Sequence, residues 1–110
     1  MKKILFILLC IPILLFSQQT YVPDDNFEQA LIDLGYDNVL DDSVFTSNIA
    51  VVTNLNVSNL NISELTGIED FILLDTLNCS FNLLSSLDVS NNIELKYYNT
   101  FLVLIHSYRL

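Results

Sequence analysis

Few residues in this chain could do chemistry. His106 is the single histidine, and with a nearby serine and aspartate it could be imagined in a catalytic triad. It stands in the stretch TFLVLIHSYRL with no nucleophile motif, so no catalytic residue is assigned and the chain reads as a non-enzyme. Metal binding has no ligand cluster to rest on, because Cys79 and His106 lie 27 residues apart. Asp37, Asp41 and Asp42 resemble a calcium loop only loosely, since the glycine and terminal glutamate of an EF-hand are missing. They read as a solvated acidic turn, and neither a metal nor a cofactor is implied. Asn56, Asn61 and Asn78 each open an Asn-x-Ser triplet of the glycosylation-acceptor type. Two of the three fall on repeated positions, so periodicity explains them without a sugar. Cys79 stands in a leucine slot of the repeat phrase, where the first repeat has Val57, and reads as a small buried hydrophobe.

The elements that must position these residues follow from a repeat. Apolar residues at Val52, Leu55, Val57, Leu60, Ile62 and Leu65 are matched 22 positions later by Leu74, Leu77, Cys79, Asn82, Leu84 and Leu87. A further shift of 21 reaches Leu95, Tyr98, Thr100 and Val103. A 21–22-residue period around L-x-x-L-x-L-x-x-N is the signature of leucine-rich repeats. In L-x-L, alternation on a short strand points both apolar residues inward. The chain then bends, and the Asn82 amide suits the backbone groups left open inside that bend. In the first repeat this position is Leu60, which breaks the asparagine series. The reading is an α/β fold: a short leucine-rich-repeat solenoid with an N-terminal helical cap and a parallel strand ladder. Its structural core comprises Leu55, Val57, Ile62, Leu65, Leu74, Leu77, Cys79, Asn82, Leu84 and Leu87. The alternating polar residues Asn54, Asn56, Ser58, Thr76, Asn78, Ser80, Lys96 and Asn99 are expected to face outward. They would stack about 4.8 Å apart as a ligand-facing ladder.

Ahead of the repeat, Gln18 to Tyr21 is a short polar lead and VPDDNFEQALIDLGYDN predicts one amphipathic helix over 25–34. Asp25 and Glu28 fit a capping box. Phe27, Ala30, Leu31 and Leu34 form the apolar stripe, and Gly35 provides the stop. The segment up to residue 50 reads as a loop with little regular structure. Residues 1–17 carry Lys2 and Lys3, an apolar run from Ile4 to Phe16 and a small residue before polar sequence, the pattern of a secretory signal peptide. Cys10 has Leu8 and Leu9 before it rather than the small residues of a lipidation site. Without those 17 residues, thirteen acids face only Lys96 and Arg109, a net charge of −11. Such a chain repels phosphate backbones, which excludes nucleic acid as a partner. One cysteine remains, so no internal disulfide forms.

The stretches TYVPDDNFEQALIDLGYDNVLDD, VVTNLNVSNLNISELTGIEDF and LNCSFNLLSSLDVSNNIELKY together resemble the start of secreted bacterial leucine-rich-repeat proteins. The likeness is internalin-like in repeat length and is seen in bacteria with a type IX secretion system. It implies an exported helical cap followed by repeats that bind proteins or cell surfaces. Asp42-Ser43-Val44 and Asp75-Thr76-Leu77 also resemble an O-glycosylation motif used by some such bacteria.

After Asn99 the phrase due next is replaced by TFLVLIHSYRL, an apolar run ending at the terminus. The expected organisation is a signal peptide (1–17), a cap (18–50), repeats (51–95), and an incomplete repeat with a divergent apolar tail (96–110). The chain reads as a secreted or surface recognition module for a protein or glycan, and as a truncated piece of a longer repeat protein. The alternative is a structural capping segment with no ligand of its own. No membrane span is expected after signal cleavage, and the apolar C-terminal edge could self-associate.

Overall fold

The computed structural model describes residues 18–99 and the strand Tyr108–Arg109. The expectations placed on residues 1–17, Val103 and His106 lie outside the described residues. The fold is mixed α/β. Strand β1 (Gln19–Tyr21) is followed by helix α1 (Asp25–Asp33), strand β2 (Ser43–Phe45) and the single helical turn α2 (Thr46–Ile49). Then come β3 (Asn54–Asn56), a 3₁₀ turn (Ile68–Asp70), β4 (Thr76–Asn78), β5 (Leu87–Asp88), β6 (Tyr97–Asn99) and β7 (Tyr108–Arg109).

Strands β3, β4 and β6 form a parallel sheet in which Leu55 pairs with Leu77 and Leu77 with Tyr98. These partners are the 22- and 21-residue offsets of the sequence. Parallel neighbours need a crossover between them, and here each crossover is one circuit of the repeat, called a rung below. Leu55, Val57, Ile62, Leu65, Leu74, Leu77, Cys79, Leu84 and Leu87 lie in a single buried core, together with Ile68, Phe71 and Val89. Gly67 turns the chain back with φ of 109°. A Cβ there would lie 2.8 Å from the Val22 side chain and 2.9 Å from the Tyr21 carbonyl oxygen, so the position has no room for a side chain.

Asn82 is the main polar fixture of the core. Its Nδ2 donates to the carbonyl oxygens of Val57 (2.8 Å), Cys79 (3.1 Å) and Ser80 (3.4 Å). Its Oδ1 accepts from the backbone N–H groups of Leu60 (2.9 Å) and Ile62 (3.0 Å). The missing asparagine of the first rung is therefore served from the second. Asn92 does comparable work ten residues on, donating to the carbonyls of Ile68 (2.9 Å) and Phe71 (3.1 Å). The phrase Leu77-x-Cys-Ser-x-Asn82 recurs as Leu87-x-Val-Ser-x-Asn92, so this role was readable from the repeat.

The N-terminal segment departs from its expectations in four ways. The helix cap is Asp24, whose Oδ1 accepts from the Phe27 N–H at 3.0 Å, and Asp25 is already helical. Two adjacent aspartates left that register open. The other oxygen of Asp24 accepts from the N–H groups of Ser63 (2.8 Å) and Glu64 (3.3 Å), tying the helix to the first rung. Leu34 is exposed because the helix has ended before it, whereas Phe27, Ala30 and Leu31 are buried and Phe27 stacks on Phe71 at 6.3 Å. The presumed loop contains β2 and α2, and the polar lead is β1, its antiparallel partner. Thr20 ties this strand pair to the first rung. Its buried hydroxyl donates to Asp70 at 2.7 Å and shares a 2.7 Å hydrogen bond with Thr46. At the far end, β7 pairs with β5 through Leu87–Tyr108 and Asp88–Arg109. The offset is again 21, so the period outlasts the sequence phrase.

Candidate functional site on the parallel sheet

Alternation along β3, β4 and β6 sends Leu55 and Leu77 inward and half-buries Tyr98. It leaves two rows on the outer face. One is Asn54–Thr76–Tyr97 and the other Asn56–Asn78–Asn99, each held in strict register by the parallel pairing. Asn54, Asn56 and Asn99 are exposed, and Thr76 and Asn78 are half-buried. Tyr97 is 67% exposed and completes the first row. Sequence reasoning missed it by taking Lys96 for the row. Carrying Thr76 forward by the 21-residue offset would have reached Tyr97. Lys96 precedes the strand, with Nζ 4.0 Å from Asp75 Oδ2 in an exposed pair of little energetic weight.

The second row is partly committed to the backbone. Asn56 Oδ1 accepts from the N–H (3.1 Å) and hydroxyl (2.8 Å) of Ser58. Asn78 Oδ1 accepts from the N–H (3.1 Å) and hydroxyl (2.6 Å) of Ser80. The Asn-x-Ser look-alikes at 56 and 78 are thus Asx turns that start the bend after each strand. The outward placing expected of Ser80 is corrected. It is 3% exposed, because the bend folds its hydroxyl back onto Asn78. Ser58, in the first rung, is half-buried.

Groups elsewhere with chemical potential are inert or structural. Burial pushes the Cys79 thiol up to about 11, so it is held protonated at neutral pH, with its Sγ donating to the Asn99 carbonyl at 3.4 Å. Its counterpart in the first rung is Val57. The acidic turn exposes Asp41 and Asp42 and half-buries Asp37, and it closes over Glu28 of the helix, which is fully buried. Glu28 accepts from the N–H groups of Asp41 (3.1 Å) and Asp42 (2.8 Å). Burial, and then its hydrogen bond and repulsion with Asp37, raise this carboxyl to about 7, against the lowering effect of the two N–H donors. Glu28, Asp37 and Asp41 lie together, as do Asp25, Glu28 and Asp42. With Glu28 spent on the backbone, neither trio is a built ligand set. Nothing among the described residues indicates catalysis, and none of their helices is long and apolar enough to cross a membrane.

No protein-family model matches the chain. It is similar to internalin J of Listeria monocytogenes serotype 4b (strain F2365), with 32% identity over 76 residues, or 69% of this chain. It spans only 8% of the length of that protein. Among solved structures it superposes on the functional domain of internalin J from Listeria monocytogenes, described as including a cysteine ladder. The TM-score is 0.61 at 31% identity, over 73% of this chain and 18% of that one. It also superposes on the structure of the CBM51-2 and INT domains of ZmpB from Clostridium perfringens. There the TM-score is 0.66 at 21% identity over 76% of this chain and 18% of that one, a likeness of fold alone. In its sequence and in its parallel-sheet fold the chain is similar to internalin J.

Proposed function

We propose that this internalin-like chain is an exported, non-enzymatic recognition module that binds a protein through the outer face of β3, β4 and β6. The observation that carries the reading is the register. It sets Asn54, Thr76 and Tyr97 at a constant one-rung spacing in an outward row that is not spent on the turn contacts made by Asn56 and Asn78. An exposed tyrosine at the end of a polar row suits a protein interface, where tyrosine is enriched. In this reading residues 1–17 are a signal peptide, the β1–β2 pair and α1 cap a short solenoid, and the protein works outside the cell or at its surface. A glycan ligand is a narrower variant of the same proposal. The competing reading is a structural segment without a ligand, and the Asx turns favour it to the extent that they occupy Asn56 and Asn78.

The test is a screen of the purified full chain against an array of extracellular proteins, run in parallel with Thr76→Arg. Thr76 lies at the centre of the face, and arginine there would obstruct contact without entering the core. A bound protein that is lost with Thr76→Arg supports the proposal. Binding indifferent to Thr76→Arg moves the site elsewhere, and no binding at all leaves the structural reading.

A further inference from the structure

Each rung enters its strand through the same tight turn. The N–H of Val52 donates to the carbonyl of Ile49 at 3.2 Å, Leu74 to Phe71 at 3.1 Å, and Leu95 to Asn92 at 3.0 Å. The donors are spaced 22 and 21 residues apart, as the strands are, so the three turns stack beside one another along one edge of the sheet. The two central residues of each turn form its tip: Ala50-Val51, Ile72-Leu73 and Ile93-Glu94. Turn tips are ordinarily the province of Gly, Pro, Asn, Asp and Ser. Here five of the six are apolar. Val51 is 67% exposed, Ile72 51%, Leu73 46% and Ile93 83%. One exposed aliphatic residue needs no explanation, but a contiguous row marks an interaction surface. Beside the row, Gln18, Thr46, Ser47, Ala50, Asp70 and Ile72 line a shallow hollow of about 360 Å³.

Charge decides what fits there. Asp70 lines the hollow and Glu94 is itself at a tip. Asp75, just after the second turn, is paired at 4.0 Å with Lys96, just after the third, so the excess acid on this rim is Asp70 and Glu94. Over residues 18–99, thirteen carboxylates face one lysine, Lys96. A second copy laid on this edge would bring two acidic rims together, and an anionic lipid surface would be repelled in the same way. A cationic partner gains from both the row and its rim. We propose that the stacked turn tips dock a protein segment presenting an aliphatic face flanked by lysines or arginines. This edge is separate from the outer face of β3, β4 and β6, so the two proposals stand or fall independently.

The experiment titrates the full chain with a synthetic amphipathic helical peptide of leucine and lysine, and with its counterpart of leucine and glutamate. The proteins are the wild type, the double variant Ile72→Ser/Ile93→Ser, and Leu83→Ser, which removes an exposed leucine from the bend after β4. Circular dichroism confirms the fold of each, and Ile93→Ser alone replaces the double variant if that one unfolds. The expected result is binding of the lysine peptide, weakened at least about tenfold by the tip substitutions and unchanged by Leu83→Ser. Equal binding by the tip variant would reduce the attraction to net charge and overturn the proposal. So would equal binding of the glutamate peptide. Concentration-dependent dimerisation of the wild type that the tip substitutions abolish would name a second copy as the occupant, and would also overturn it.

Discussion

At the scale of the residue, the same amino acid does different work at positions that look alike in the sequence. Asn82 makes five hydrogen bonds to backbone groups of two rungs. Asn56 and Asn78 hold the turn just after a strand, and Asn54 holds nothing comparable. Replacing Asn82 by alanine would orphan buried donors and acceptors at once and is expected to cost about 3–5 kcal/mol, read as a fall in the urea midpoint. Asn82→Leu, which copies Leu60, is expected to be no milder, because Leu60 depends on the very amide being removed. Cys79→Val, which copies Val57, is expected to change stability by less than about 1.5 kcal/mol. The bend role of Asn82 and the apolar role of Cys79 were legible from spacing. The burial of Ser80 was not, because strand alternation was carried two residues past Asn78, where the Asx turn ends the strand.

At the scale of the element, the repeat was legible and the N-terminal segment only in part. Period and strand register coincide because one circuit of chain advances one rung. The pairing of β1 with β2 depends on contacts such as Thr20–Asp70, 50 residues apart, which no local pattern announces. Glu28 is the clearest case: a capping-box glutamate by spacing, it instead pins the acidic turn from beneath. With a folded value near 7 against an ordinary 4.5, Glu28 keeps its proton longer in the folded chain than in the unfolded one. Its contribution is therefore fully present below about pH 4.5 and is lost as pH rises to about 7, by up to about 3 kcal/mol. Urea unfolding across that range should show a difference between wild type and Glu28→Gln that changes with pH, and parallel curves would refute it. Gly67→Ala is expected to destabilise far more than Gly35→Ala. Both glycines have positive φ, but only Gly67 is pressed against Val22 and Tyr21. Relative thermal midpoints of the two variants decide the point.

At the scale of the whole molecule, the fold divides its polar residues between construction and display. Asparagine and serine at the ends of β3 and β4 close the bend, whereas the row Asn54–Thr76–Tyr97 is not spent on those turns and remains available. That division is the core of the functional account, and it can be checked on one protein ligand from the array with two variants. Asn78→Ala breaks a turn and is expected to lower stability while leaving affinity within about twofold when measured well below its melting temperature. Thr76→Arg is expected to do the reverse. The most direct measurement is the affinity of Thr76→Arg for that ligand. A loss of at least about tenfold at unchanged stability is the result the account requires, and an affinity equal to wild type would contradict it.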